Sequence, residues 1–306
     1  MSGVRLVSPA FRPAAAELLE GPPRLPPTER VIRVEDSDAG PLLTDAADGV
    51  VGHTIRSTQT WEPGEGRFLQ RTLRPGMHVI DVGAHIGYFT RFMARLVGAA
   101  GRVLAVEADP ETFQFLRANV ALAEHDIIEM APVAASRRPG LTHGVRDPGN
   151  QGGSAAYITT IGAEAFPVQA VRLDDLLDPG ARIDFIKIDA EGMDLAVVEG
   201  LRRTIGRWRP TLLVELNPSK SEQFGDPPEM VLAAYRTLGL GVRLLGADAV
   251  RLRHEAGMEL DPLLNEDLFV TGELDAELIA RTRHIHFINL VLTPTPAIDE
   301  SFAVPS

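Results

Sequence analysis

The sequence predicts an α/β fold, a mostly parallel sheet covered by helices on both faces, and three stretches predict it. Residues 77–80 read as a short buried strand entered through the Pro75-Gly76 turn. That strand runs through Asp-Val-Gly-Ala-His-Ile-Gly-Tyr-Phe-Thr at 81–90 into a segment where Ile86, Phe89, Phe92, Met93 and Leu96 recur at helical spacing. Residues 101–107 form a second strand ending on Glu107, and Asp109-Pro110 then opens another helix with proline in its first turn. Residues 183–188 are apolar apart from Asp184 and Lys187, as a central parallel strand should be.

The elements follow in order. Residues 1–48 carry Pro9, Pro13, Pro22, Pro23, Pro26 and Pro27, which break any long element outside 14–20. This arm reads either as a poorly ordered tail or as a lid or oligomer strap beside the active site. Residues 49–75 read as a strand, a loop through Trp61-Glu62-Pro63-Gly64-Glu65, and an amphipathic helix carrying Phe68, Leu69 and Leu73. Trp61 reads as core packing ahead of a substrate wall, and His53 as a surface residue. Between the third and fourth sheet strands, residues 136–171 are long, Gly-rich and polar, the composition of a lid-like insertion. Strand-favouring stretches at 155–161 and 166–171 suggest a hairpin over the ligand edge, with Asn150 and Gln151 offering amides to a substrate; a mobile surface excursion is the other reading. A fifth strand at 211–215 ends on Glu215. A helix at 229–238 and strands at 241–245 and 267–271 close the sheet, the last two as an antiparallel hairpin. Residues 284–292 read as an extra edge strand or an oligomer contact, and the tail beyond as loose.

Composition bounds the function. A chain of 306 residues with 44% hydrophobic content can bury such a sheet with helices on both sides. No apolar run approaches the ~20 residues that span a bilayer, and the N-terminus lacks a charged-then-apolar leader, so the chain reads as cytoplasmic and without a membrane partner. It has no cysteine, which removes disulfides and thiolate chemistry. A formal charge of −12 disfavours a nucleic-acid partner. A homo-oligomer stays open.

The glycine loop at 81–90 identifies the ligand type. Gly83 and Gly87 let the main chain turn sharply and approach a ligand, and the helix start that follows offers N–H groups to a carboxylate or phosphate. Glu107, about twenty residues on, is placed to accept ribose hydroxyls. A dinucleotide fingerprint would need Gly-x-Gly-x-x-Gly, whereas here His85 fills the middle position. Asp81 would repel a pyrophosphate and suit an ammonium or sulfonium group. S-adenosylmethionine matches this set better than NAD, which is the disfavoured alternative.

These residues resemble the FkbM family of class I S-adenosylmethionine-dependent methyltransferases. The resemblance rests on 81–90 and on Glu-Ala-Asp-Pro at 107–110. It also includes Leu-Asp-Asp-Leu at 173–176, Ile-Asp-Phe-Ile-Lys-Ile-Asp-Ala-Glu-Gly at 183–192 and Arg-Pro-Thr-Leu-Leu-Val-Glu at 209–215. It covers roughly residues 50–245 and implies a Rossmann-like, seven-stranded fold as one domain over 49–275, with extensions at 1–48 and 276–306. The cofactor residues it implies are Glu65, Asp81, Gly83, Ala84, His85, Gly87, Phe89, Thr90, Glu107, Ala108 and Asp189. Glu65 is implied at the amino acid part of the cofactor.

The implied reaction is O-methylation of a hydroxyl on a small molecule, a natural product or a sugar. N- or C-methylation and a noncatalytic S-adenosylmethionine-binding role are the alternatives. Asp189, Glu191 and Glu215 are the candidate catalytic acids. Asp189 and Glu191 could deprotonate an acceptor hydroxyl, hold a divalent ion that acidifies it, or only cap the helix beginning at Gly192. No metal site is predicted. Lys187, two residues before Asp189 on the strand, faces the same way and can pair with it. His85 reads as a base close to the cofactor or as a ring bonded to local backbone.

Overall fold

The computed structural model describes residues 5–11, 13–147, 150–155, 164–245, 270–273 and 287–295. After two short 3₁₀ turns, β1 (Val31–Val34) and β2 (Leu42–Asp45) pair antiparallel. Helices α1 (Val51–Thr58) and α2 (Pro63–Thr72) lead to β3 (His78–Val82), α3 (Tyr88–Val97), β4 (Arg102–Val106), α4 (Pro110–Val120) and β5 (Ile128–Ala131). A second, four-stranded sheet comes next: β6 (Ala134–Ala135), β7 (Gly140–Asp147), β8 (Asn150–Ala155) and β9 (Glu164–Val171), ordered β6-β9-β7-β8. The chain returns to the main sheet through α5 (Leu173–Leu176), β10 (Phe185–Ile188), α6 (Asp194–Glu199), α7 (Arg202–Trp208) and β11 (Thr211–Leu216). It ends with α8 (Pro218–Gln223), α9 (Pro228–Thr237), β12 (Leu240–Leu245), β13 (Val270–Glu273) and β14 (Ile288–Pro294).

The main sheet is ordered β13-β12-β14-β11-β10-β3-β4-β5. It has eight strands among the described residues, one more than the seven expected. β11, β10, β3, β4 and β5 pair in parallel, and β14 is antiparallel to both neighbours. The chain leaves β3 in one direction toward β5 and re-enters on its other side at β10, so a crevice opens between the carboxyl ends of these two strands.

Period-2 alternation divides the strands between two cores. Ile80, Leu104, Ile186, Leu212 and Val214 face α5, α6 and α9 through Leu176, Val197, Val198, Leu232 and Tyr235. Val79, Val103, Phe185 and Leu213 face the opposite layer of α1 to α4 through Ile55, Phe68, Leu69, Phe89, Phe92, Met93 and Phe113. The same alternation puts Asp81, Lys187 and Glu215 on the α2/α3 side.

Several local expectations change. Residues 51–58 form helix α1, not a strand, although the stretch is rich in β-branched residues. Asp48 accepts the N–H groups of Val50 (3.0 Å) and Gly52 (2.8 Å), and Val51 and Ile55 bury one helical face. The strand beside β11 is β14, in the 284–292 stretch expected at an edge, and the sheet therefore draws on residues assigned to an extension. Ile288, Leu290, Val291 and Leu292 are at most 2% exposed, which a strand covered on both faces requires. The Val-Thr-Gly-Glu run of β13 takes the edge instead, where glycine and charge are tolerated. In the insertion, β9 covers the expected 166–171 strand, but its antiparallel partner is β7. The expected strand at 155–161 lies outside the described residues, apart from Ala155, as do the side chains of Asn150 and Gln151.

The arm is strapped to the body. Leu6 is fully buried in the main core, and Glu129 on edge strand β5 accepts the N–H groups of Leu6 (2.6 Å) and Val7 (3.1 Å). Val7 bridges to Leu177, Ala14 N–H donates to Gln169 on β9 (2.6 Å), and Arg24 N–H donates to Gln114 on α4 (3.0 Å). Leu6→Ala is expected to lower unfolding stability by about 2–5 kcal/mol, read from urea denaturation; an unchanged midpoint would show that the strap contributes nothing.

Candidate active site

Lys187 is the centre of the crevice. It is 2% exposed on β10, directly opposite Asp81 of β3, and its Nζ lies 3.3 Å from Asp189 Oδ2 and 3.6 Å from Glu65 Oε2. The ammonium also stands 4.8 Å from the centroid of the Phe89 ring. Burial alone would lower its pKa, but Glu65, Asp189, Glu62 and Asp81 hold it well above the ordinary lysine value. The Lys187–Asp189 pairing expected from the strand period is therefore present.

The carboxylates around it are unequal. Asp81, 1% exposed, accepts the Thr90 hydroxyl on Oδ2 at 2.5 Å, while its Oδ1 is buried with no hydrogen-bond partner among the described residues. Burial raises its pKa against the opposing pull of Lys187 and Thr90. Glu215, at the end of β11, is pushed well above the usual carboxylate range by burial and by the like charges of Asp189, Glu62 and Glu65. Oxygens of Glu62, Glu65 and Glu215 all lie within 4.8 Å of one another, a spacing at which three carboxylates could share a cation. Five acids face one lysine here, so the crevice suits a positively charged ligand.

The glycine loop is tighter than its sequence suggests. Gly83 has φ +76°, and a Cβ there would meet the Asp189 carbonyl oxygen at 1.8 Å, so only glycine lets β3 and β10 close at this point. Most loop amides are already used. Gly83 and Ala84 N–H both donate to Val106 O, at 2.9 and 3.0 Å, and Gly87 N–H donates to Ala84 O. The N–H groups the loop can offer a ligand are therefore those of the first turn of α3, at Tyr88, Phe89 and Thr90, where a helix has no internal acceptors.

Glu107 organises the other end. Its carboxylate accepts the N–H groups of His85 (2.8 Å) and Asp109 (2.7 Å), and burial raises its pKa to about 7. Ala108 follows it immediately and packs against the small cluster of Ala134, Phe166, Val168 and Ala170 under the second sheet. His85 has φ +51°, and its Nε2 is buried without a hydrogen-bond partner among the described residues. Burial lowers its pKa, opposed by Asp48, Asp189 and Asp109, so the ring is held toward the neutral form.

The loop after β10 corrects one alternative. Neither Asp189 nor Glu191 caps the following helix. Asp194, 1% exposed and the first residue of α6, instead ties down the loop before the helix by accepting Ala190 N–H (2.8 Å) and Gly192 N–H (3.2 Å). Glu191, at φ +51°, ion-pairs with Lys220 of α8. The structure thus gathers Glu65, Asp81, Phe89, Thr90, Asp189 and Glu215 around Lys187 and sets Glu191 to one side. Sequence reasoning missed Glu62, Asp194 and Lys220. Asp194 carried a readable signal as an acid in the first helical turn; Lys220 carried none, because Glu191 is distant in sequence, and Glu62 joins the site only where Glu215 of a distant strand meets it.

The profile of the Methyltransferase FkbM domain matches residues 81–239, just over half of the chain. Protein-L-isoaspartate O-methyltransferase 1 of Arabidopsis thaliana is 34% identical over 135 residues, covering 44% of this chain and 55% of that protein. The transmembrane O-methyltransferase of Homo sapiens is 29% identical over 107 residues, covering 31% of this chain and 37% of that protein. The chain thus spans about half or less of the length of these relatives. Among solved structures, methyltransferase FkbM from Methylobacillus flagellatus is similar at 17% identity and a TM-score of 0.35, over 55% of this chain and 44% of that one. Among the described residues no helix is long and apolar enough to cross a membrane.

Glu107 and Asp194 make a pH prediction. Each has a folded-state pKa of about 7 against ordinary values of 4.5 and 3.8, so the folded chain binds these protons more tightly than the unfolded chain. Their contribution to stability is full below the unfolded values and is lost as pH rises through about 7. The thermal midpoint of the ligand-free protein should therefore fall between pH 5 and pH 8, and Glu107→Gln and Asp194→Asn should each flatten that fall in calorimetric scans.

Proposed function

The chain belongs to the FkbM methyltransferase family, and we propose that it transfers a methyl group from S-adenosylmethionine to a hydroxyl oxygen of a small molecule, a natural product or a sugar, in the cytoplasm. The observation that carries this reading is the buried Asp81 Oδ1, which lacks a hydrogen-bond partner among the described residues in a crevice where acids outnumber Lys187. A cationic ligand would compensate that charge. When bound, S-adenosylmethionine supplies an electrophilic methyl group on a sulfonium, together with an ammonium, a carboxylate and a ribose by which it can be held.

The residues fit that group. Asp81 Oδ1 would accept from the ammonium, and the first-turn N–H groups of α3 at Tyr88, Phe89 and Thr90 would donate to the carboxylate. The Glu107 carboxylate keeps lone pairs beyond those used by backbone amides and would take the ribose hydroxyls. Gly83, Ala84, His85, Gly87 and Ala108 would form the close backbone wall of the site. Glu65 acts on the site through Lys187.

Asp189 is the candidate base. Its carboxylate is 26% exposed at the mouth of the crevice, and the Lys187 ammonium fixes one of its oxygens. There it can take the proton of an acceptor hydroxyl and aim the resulting oxygen nucleophile, so positioning supplies much of the rate. Glu215 would orient the acceptor from β11. Glu191, engaged by Lys220, would shape the loop and not the reaction.

Calorimetric titration of ligand-stripped protein with S-adenosylmethionine, S-adenosylhomocysteine and NAD, with and without magnesium, tests the reading. Binding of the adenosyl compounds and not NAD is expected. Asp81→Ala and Glu107→Ala should each weaken it about 10- to 100-fold, the cost of a charged hydrogen bond. Asp189→Asn should bind normally and lower turnover by about 10²–10⁴-fold in an acceptor screen. Binding of NAD alone, or wild-type behaviour in all three variants, would overturn the assignment.

A further inference from the structure

A cleft of about 510 Å³ lies between the second sheet and the corner joining α8 to α9. Its volume falls in the range of small-molecule sites, about 300–1,000 Å³. One wall is Met193, whose N–H donates to Ala190 O at 3.0 Å, so the cleft adjoins the loop that carries Asp189. Four residues separate Asp189 from Met193, so at most about 14 Å of chain lies between that wall and the candidate base.

Two adjacent arginines that line the same cleft differ. Arg137 is compensated twice, by Glu199 at 3.1 Å and by Asp226. Arg138 has an exposed side chain and no ion pair among the described residues; its backbone N–H donates to Ser136 Oγ at 3.4 Å. An unpaired guanidinium at a cleft contrasts with a chain of net charge −12 and with a neighbouring crevice dominated by carboxylates. Beside it stands Leu141, 76% exposed, the most exposed large apolar side chain among the described residues. A positive fork, a hydroxyl and an apolar side chain on one cleft favour a ligand with an anionic group on a compact body.

We propose that this cleft binds a carboxylate or phosphate at the far end of the methyl acceptor, with Arg138 as the specificity-determining residue. That the ligand is the methyl acceptor rests on the methyl-transfer reading; the anion site itself rests on the cleft. An acidic or phosphorylated acceptor long enough to cross the cleft would place its anion at Arg138 and a hydroxyl toward Asp189.

The absence of cysteine makes the test direct, because Leu141→Cys gives a single thiol for an environment-sensitive fluorophore on the cleft. The labelled protein is titrated with glucose 6-phosphate, glucuronate and glucose, and calorimetry on unlabelled protein repeats the titrations. Saturable binding of at least one anion and none of glucose is expected, and the stronger anion tells phosphate from carboxylate. Arg138→Ala should weaken that binding about tenfold or more, with Arg138→Lys recovering part of it. The thermal midpoint and S-adenosylhomocysteine affinity should stay at wild-type values in both variants. Equal binding of glucose, an unchanged affinity in Arg138→Ala, or no saturation by either anion below about 10 mM would overturn the proposal. S-adenosylhomocysteine binding reports separately on the methyl-donor reading, so either can fail without the other.

Discussion

The ammonium of Lys187 holds the crevice together. A lysine 2% exposed on a central strand would shed its proton without compensation, and carboxylates drawn from three elements prevent that: Glu65 from α2, Asp81 from β3 and Asp189 from the end of β10. The charge binds both ways. Asp81 and Glu65, each 1% exposed, would be costly as anions in the same place without the lysine. The contact of Lys187 with the Phe89 ring adds α3 to the group, so the helix that opens the ligand loop is tied to the strand that carries the candidate base.

Strand geometry makes that convergence possible. Adjacent parallel strands put Asp81 and Lys187 side by side, and the period of two keeps both on the α2/α3 face, with the core residues between them turned to the opposite layer. Gly83 then brings β3 and β10 into contact at the Asp189 carbonyl, where any side chain would force them apart. Two non-glycine residues near this point, His85 and Glu191, hold left-handed backbone conformations. Such conformations cost energy and persist where neighbours fix them. Glu107 fixes the first through the His85 N–H, and Lys220 with Asp194 fixes the second.

Around this centre the chain adds a frame. The N-terminal strap ties the edge strand β5, helix α4 and the second sheet together through Glu129, Gln114 and Gln169. The second sheet grows from the carboxyl end of β5, and its strand β8 packs near α1. The sheet's Phe166, Val168 and Ala170 pack on Ala108 beside Glu107, and residues 134–142 line the cleft at Arg138.

Local sequence was sufficient where a rule acts over a few residues. The Asp81–Thr90 loop, the Asp109-Pro110 helix start, the Lys187–Asp189 pairing and the candidate acids at the strand ends all follow from glycine conformation, capping and strand period. What lay beyond it depended on partners distant in the chain. Residues 51–58 look strand-like until Asp48 caps them; β14 looks like an edge until its burial between β11 and β12 is known. Glu62 and Glu65, three residues apart, meet Glu215, and Lys220 takes Glu191, across separations from the rest of the chain that no pattern records. The sequence by itself determined the α/β class and the residues at the ends of the strands, because backbone preference and apolar periodicity are local. Which acids share Lys187, which loop amides remain for a ligand and which of the adjacent Arg137 and Arg138 is ion-paired among the described residues were decided by the tertiary structure, because electrostatic and hydrogen-bond partners are chosen by distance in space.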